Sequence, residues 1–220
     1  MGAEADFFGR KFQLAIGIRS PLLSQRCGVL SDFSKGTFCD ESVAALQLPI
    51  FSRKENLMKQ TIFSGAATAL VTPLTDKGID FEALGRLIEF QIEGGISALV
   101  ITGTTGESST LSDEEHKAAI EFAVKQSAGR VPVIAGTGSN DTDYAIALSR
   151  HACEVGVDGL LLVTPYYNKA TQNGLIAHFT AIADAVTKPI ILYNVPSRTG
   201  CNLKPETVGC RWRHCHGTCG

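Results

Sequence analysis

Several things are scarce in this sequence. It has one tryptophan and two methionines, and 7% of its residues are aromatic. No apolar run approaches the roughly 18–20 residues that cross a bilayer as a helix, so no membrane span is read. A basic excess is missing too. Twenty Lys plus Arg face 22 Asp plus Glu, a formal charge of −2. A nucleic-acid binder normally carries a basic stripe, so none is read here. Cysteine is present without a framework: the seven residues, at positions 27, 39, 153, 201, 210, 215 and 219, are scattered and then crowded. That is not the pattern of a small secreted domain, and a reduced, cytoplasmic setting is the expectation. What remains is 220 residues, 44% hydrophobic and 19% charged, enough for a sizeable core in one or two domains.

The chain divides into three stretches. Residues 1–57 hold no sustained strand or helix period, and short apolar patches are broken by Gly, Ser and Pro. Glu4 and Asp6 spoil the basic start of a secretory signal. They join Asp32, Asp40, Glu41 and Glu55 as more acid than an organellar transit peptide carries. The stretch is read as an unassigned extension ahead of a domain that opens at Met58, adding no strand to it. Residues 58–208 are periodic. The last residues, 209–220, are aberrant: three cysteines, two histidines and the lone Trp212 stand where a helix is due. Thiolates and imidazoles bind zinc, but Cys-x4-Cys-x3-Cys is not a usual ligand spacing, and no metal is expected.

Within 58–208, strand-like runs alternate with helix-like runs. The strands read are Ser64–Leu70, Ala98–Thr102, Val131–Ala135, Gly159–Val163 and Ile190–Tyr193. Each is short and rich in Val, Ile and Leu, as suits parallel strands buried on both faces. Four amphipathic helices lie between them. Ser112 with Glu115 forms a capping box for the second, whose stripe is read as Ala118, Ala119, Phe122 and Val124. Asp141 opens the third. One βα unit recurs about every 30 residues. Such units build either an eight-fold β/α barrel or a doubly wound open sheet. No GxGxxG follows the first strand, and unusual residues follow several different strands, so the barrel is favoured. The fold class is thus α/β, an incomplete (β/α)8 barrel of about five units.

Candidate chemistry sits after those strands. Gly103-Thr104-Thr105-Gly106-Glu107 offers two hydroxyls and closely approachable amides, a nest suited to a carboxylate or a phosphate. A βα turn that merely needs glycine is the equal alternative. Tyr166 and Tyr167 follow the fourth strand and Tyr193 ends the fifth, where a hydroxyl chain can relay protons. Any one of them alone reads better as rim packing. Arg198, in a Pro-Ser-Arg-Thr-Gly loop, could grip a carboxylate with its fork, although a lone loop arginine is more often solvated. His116, His151 and His178 fall on helices and read as surface or packing residues.

Taken together, the strings Gly65-Ala66-Ala67-Thr68-Ala69-Leu70-Val71-Thr72-Pro73, Gly-Thr-Thr-Gly-Glu, Ala135–Asn140, Pro165–Lys169 and Tyr193–Gly200 resemble the dihydrodipicolinate synthase family in order and spacing. That family condenses pyruvate with aspartate semialdehyde, on the diaminopimelate route to lysine. It holds pyruvate as a Schiff base on a lysine, assembles as a homotetramer and needs no cofactor or metal. The resemblance implies that Thr105 binds the pyruvate carboxylate and that Thr104 links two tyrosines in a proton relay. It makes Tyr193 the proton donor and acceptor, Tyr167 the relay member lent by a neighbouring subunit, and Arg198 the anchor of the aldehyde substrate's carboxylate. The N-acetylneuraminate lyases share the hydroxyl loop and the tyrosine; Arg198 favours the synthase branch. One part departs from the pattern. The family's Schiff-base lysine belongs at the end of a sixth strand, and no lysine follows Lys204. Lys169, Lys188 and Lys204 do not stand at a buried strand end, so no Schiff-base lysine is assigned. A truncated, inactive fragment and a half-barrel binding or regulatory module are the alternatives to an active lyase.

Overall fold

The computed structural model describes residues 61–208 in full and the backbone course of residues 3–7 and 10–15. In chain order these form β1 (Ala3–Phe7), β2 (Arg10–Ala15), β3 (Ala67–Ala69), β4 (Leu74–Thr75), β5 (Gly78–Ile79), α1 (Phe81–Glu93) and β6 (Ala98–Ile101). After β6 come a 3-10 turn (Thr104–Gly106), α2 (Asp113–Ser127), β7 (Val133–Gly136), α3 (Thr142–Val155), β8 (Gly159–Val163), α4 (Gln172–Ala185), β9 (Ile190–Tyr193) and α5 (Pro196–Thr199). No helix among the described residues is long and apolar enough to cross a membrane.

The main sheet runs β1-β2-β9-β8-β7-β6-β3, and β3, β6, β7, β8 and β9 are mutually parallel. These five follow one another in space in their chain order, with no reversal. A doubly wound sheet reverses its strand order at a switch point; a β/α barrel never does. The fold is therefore an incomplete (β/α)8 barrel of five strands, with a helix of full length after each of the first four. The fifth unit carries only the short α5 and a helical turn at 205–208.

Alternation along the strands splits their side chains between two faces. One set, including Leu99, Ile101, Val133, Leu160, Leu162 and Leu192, belongs to the large core shared with the helices. The other set, Ala98, Ile134 and Ile191, forms a small cluster against which Ile62 and Phe63 pack. Caps fix where the helices begin. Asp80 accepts from Ala83 N at 2.9 Å, and Asp141 from Tyr144 N at 3.1 Å. Ser112 and Glu115 make the reciprocal capping box expected of them. The apolar stripe of α2 differs from the one read in sequence: His116, Ala119, Ile120 and Ala123 are buried. Phe122 and Val124 are partly buried and pack against the edge of that core, the Phe122 ring 5.1 Å from that of Phe81. At one helix end, Arg130 clasps Glu89 of α1 through two 2.7 Å bonds.

Residues 1–57 were expected to add no strand, and their first fifteen residues correct this. β2 pairs in parallel with β9, Phe12 opposite Ile190 and Ala15 opposite Tyr193, and β1 folds back antiparallel onto β2. A strand edge carries unpaired N–H and C=O groups that recruit another strand. Lys11-Phe12-Gln13-Leu14 alternates polar and apolar, a signal too short to stand out in sequence. The rest of that stretch lies outside the described residues, as does the Cys/His-rich tail.

The burial pattern yields a paired stability test. Leu99 is fully buried between strands and helices, while Phe90 is 68% exposed on α1. Leu99→Ala is expected to lower unfolding free energy by about 2–5 kcal/mol, and Phe90→Ala by less than about 0.5 kcal/mol. Chemical denaturation of both variants checks this.

Candidate active site

Parallel pairing in chain order brings the loops after β3, β6, β7, β8 and β9 to one end of the sheet. The loop after β6 is the Gly103–Glu107 string. Its 3-10 turn is closed by Gly106 N to Gly103 O at 3.0 Å and Glu107 N to Thr104 O at 3.1 Å. Gly106 is buried, while Thr104 and Thr105 stand exposed on the turn. Glu107 leaves the turn in the left-handed region, φ 55°, and its carbonyl accepts from both the amide and the hydroxyl of Thr110, at 2.9 Å each. Its main chain supports the loop; its residue is exposed.

This loop is tied to β7. Thr102, at φ 52°, is a β-branched residue held in the left-handed region, where such residues are rare. Its hydroxyl donates to Ile101 O at 2.8 Å and lies 3.3 Å from Gly136 O. His116 Nε2 donates to the same carbonyl at 2.9 Å. A Cβ on Gly136 would fall 2.3 Å from Thr102 O, so the two strand ends meet only because residue 136 has no side chain. Here the glycine serves strand-to-strand approach.

Two further loops share a buried centre at Thr199. Thr164 donates from its amide to Tyr193 O at 3.0 Å and from its hydroxyl to Thr199 Oγ1 at 3.3 Å. Thr199 Oγ1 lies 3.1 Å from Val195 O and 2.9 Å from Cys201 O, and accepts from Cys201 N at 3.2 Å. The Thr199 carbonyl accepts from Tyr167 N at 3.2 Å. Tyr167 is held at φ 71° and is 89% exposed. The loops after β7 and β8 also join, through Asn168 Nδ2 to Asn140 O at 3.1 Å. Arg198, on α5, is exposed and makes no ion pair among the described residues.

The five candidates thus stand at the carboxyl ends of three strands: Thr104 and Thr105 after β6, Tyr167 after β8, and Tyr193 and Arg198 at and after β9. Among the described residues no hydrogen bond joins the hydroxyls of Thr104, Thr105, Tyr167 and Tyr193 to one another. Among the described residues no lysine is buried at these ends: Lys169 and Lys204 are exposed, and Lys188 precedes β9 at its opposite end. Lys11 stands just before the Phe12–Ile190 pair, at the end of β2 far from Tyr193. No cluster of three metal-ligating side chains occurs among the described residues.

Sequence reading gave no role to Thr72 and Thr199 and took His116 as a surface or packing residue; it is buried on α2. The histidine was legible in principle, since it lies three and four residues before Ala119 and Ile120, on their stripe. Burial pushes the His116 pKa down, partly opposed by the Gly136 carbonyl bond and by Asp113. With Nε2 donating to that carbonyl, Nδ1 is buried without a partner, so the neutral ring fits and a second proton does not. A depressed pKa means that the unfolded chain binds the proton more readily. Stability from this residue is full above the unfolded value near 6.5 and is lost as pH falls through the lower folded value. His116→Gln is expected to flatten the loss of urea midpoint between about pH 7 and pH 5 relative to the parent chain.

Residues 62–216 match the Dihydrodipicolinate synthetase family. The 4-hydroxy-tetrahydrodipicolinate synthase of Acetivibrio thermocellus is 57% identical over 151 residues, 69% of this chain and 52% of that protein. The crystal structure of dihydrodipicolinate synthase from Aquifex aeolicus superposes with a TM-score of 0.67 at 52% identity, covering 70% of this chain and 53% of that one. The lysine-bound enzyme of Cyanidioschyzon merolae gives 0.67 at 40% identity, covering 72% and 55%. The chain spans about half the length of the curated relatives it matches.

Proposed function

Because the chain belongs to the dihydrodipicolinate synthetase family, we propose that it carries the carboxylate-binding and proton-relay part of a 4-hydroxy-tetrahydrodipicolinate synthase. That lyase condenses pyruvate with aspartate semialdehyde in lysine biosynthesis by the diaminopimelate route. The observation that carries this reading is Arg198, exposed and without an ion pair among the described residues, just past the strand end that carries Tyr193 and at the same end of the sheet as the Thr104–Thr105 turn. Two carboxylate-binding elements flank a tyrosine, which suits two carboxylate substrates and a proton transfer between them.

The chemistry assigns the roles. Pyruvate's carbonyl carbon condenses with a lysine amine and expels water; the derived enamine carbon then attacks the aldehyde. Protons move at both steps. Thr105 holds the pyruvate carboxylate with its hydroxyl and amide. Tyr193 gives and takes the proton at the imine, and Thr104 connects it to Tyr167. Tyr167, 89% exposed on a left-handed backbone, points to a relay completed between subunits, in keeping with a homotetramer. Arg198 receives the aldehyde substrate's carboxylate in a bidentate fork and separates this reading from an N-acetylneuraminate lyase. The reaction is placed in the cytoplasm.

The reading is tested in a chimera. Residues 62–208 replace the matching stretch of the Acetivibrio thermocellus synthase, which keeps its own remaining half. The chimera is expected to condense the two substrates. Arg198→Ala within it should raise KM for aspartate semialdehyde roughly 10- to 150-fold, as loss of a charge-assisted bond does, and leave that for pyruvate nearly unchanged. A folded chimera without activity, or equal losses for both substrates, overturns it.

The placement of the lysines supports a second statement. A nucleophilic lysine must be partly neutral near pH 7, which calls for burial or a neighbouring cation. Lys169 and Lys204 are exposed instead. With pyruvate and borohydride, the chain by itself is expected to gain no stoichiometric pyruvyl adduct by mass. An adduct on one mapped lysine refutes this.

A further inference from the structure

The loop after β6 is anchored on its β7 side by the Thr102–Gly136–His116 knot. Its other side rests on β3, and there one side chain stands out. Thr72, two residues past the last β3 ladder bond from Leu70 N to Val100 O, is 5% exposed. Its hydroxyl donates to Gly106 O at 2.7 Å, a short bond between buried groups. Gly106 is the last residue of the 3-10 turn. A Cβ there would meet both Leu70 O and Thr72 Oγ1 at 3.1 Å, so the back of the turn lies flat against the end of β3. The following residue fixes Thr72 in turn: Pro73 O accepts from Asp80 N at 2.9 Å, and Asp80 caps α1.

We propose that Thr72 is a positioning residue of the proposed carboxylate site, its hydroxyl clamping the Gly106 carbonyl and thereby setting where Thr104 and Thr105 stand. The assignment of a carboxylate to that turn rests on the function proposed above; the clamp does not. The ladder between β3 and β6 ends with the Leu70 N to Val100 O bond, and beyond it backbone pairing no longer fixes their separation. The Thr72 hydroxyl is the bond that spans the gap. Its removal leaves a buried carbonyl unpaired, and the turn must shift to satisfy it.

Thr72→Val keeps the shape and removes the donor, Thr72→Ala also removes the bulk, and Thr72→Ser keeps the donor. The full chain is labelled for amide exchange and titrated with pyruvate. In Thr72→Val the exchange of the Gly106 and Glu107 amides should rise about tenfold or more, with Ala119 and Ile120 of α2 unchanged; Thr72→Ser should restore protection. The pyruvate dissociation constant should rise about fivefold or more in Thr72→Val and recover in Thr72→Ser. Unchanged exchange at Gly106 and Glu107 overturns the clamp, as does an equal rise at the α2 amides, which is general loosening. Faster exchange with unchanged pyruvate affinity overturns the positioning role. If the parent chain does not bind pyruvate, the proposed function fails, while the exchange comparison still decides the clamp. Should Thr72→Val not fold, Thr72→Ala must show the same pattern and Thr72→Ser none of it.

Discussion

Everything at the candidate site depends on parallel hydrogen bonding between strands that neighbour one another in chain order. A parallel pair needs a crossover, and here a helix supplies each one. Four such steps from β3 to β9 therefore send every carboxyl strand end to one side. No individual side chain chooses that side. The register does it: Ile101 pairs with Ala135, Gly136 with Leu161, and Val163 with Tyr193. Shifting the Val163–Tyr193 pairing by a residue would turn Tyr193 to the helix-facing side and bury its polar end in the core.

The strands fix the direction of the loops but not their detail. That falls to a few buried polar contacts just beyond the ladder. Gly136 O gathers Thr102 and His116, Thr199 gathers the β8 and β9 loops, and Thr72 holds the turn against β3. Of the five non-glycine residues with positive φ among the described residues, Thr102, Glu107, Tyr167 and Lys169 lie beyond carboxyl strand ends, and Ala128 ends a helix. Unfavourable backbone conformations persist where surrounding contacts over-determine them, and such places tend to be functional. The strain is concentrated where the candidate hydroxyls, the tyrosines and the arginine are presented.

The two compact features of the site have different exposures, and this matters for chemistry. The anchors are buried and the presented groups are not: Gly106, Thr164 and Thr199 are shielded, whereas Thr104, Thr105, Tyr167 and Arg198 face outward. A proton relay works best where water is excluded. The rigid floor is thus built by this stretch of chain, while the groups it presents stand exposed.

Much of this was legible in the sequence because it is local. Val, Ile and Leu runs of four or five residues, separated by amphipathic stretches, specify parallel βα units through side-chain periodicity alone. Ser112, Asp141 and the Gly-Thr-Thr-Gly-Glu string carry their meaning within a few residues, since caps and turns close over short distances. Thr104, Thr105, Tyr167 and Tyr193 could be singled out because each stands at or just after a strand-like run; their roles, and that of Arg198, came from the resemblance to the family. The partners that hold them were not legible. Thr72 and Gly106, 34 residues apart, and Thr164 and Thr199, 35 apart, meet only after the strands have paired. Nor does an isolated threonine announce which carbonyl it will find. The N-terminal strands were missed likewise, because β2 answers an unpaired edge at β9, and an edge exists only in the assembled sheet. The sequence by itself determined the units and the residues they present, through local periodicity and capping. The tertiary structure alone decided the register and the long-range hydroxyl bonds that set their positions, because those energies arise between segments that the chain brings together only on folding.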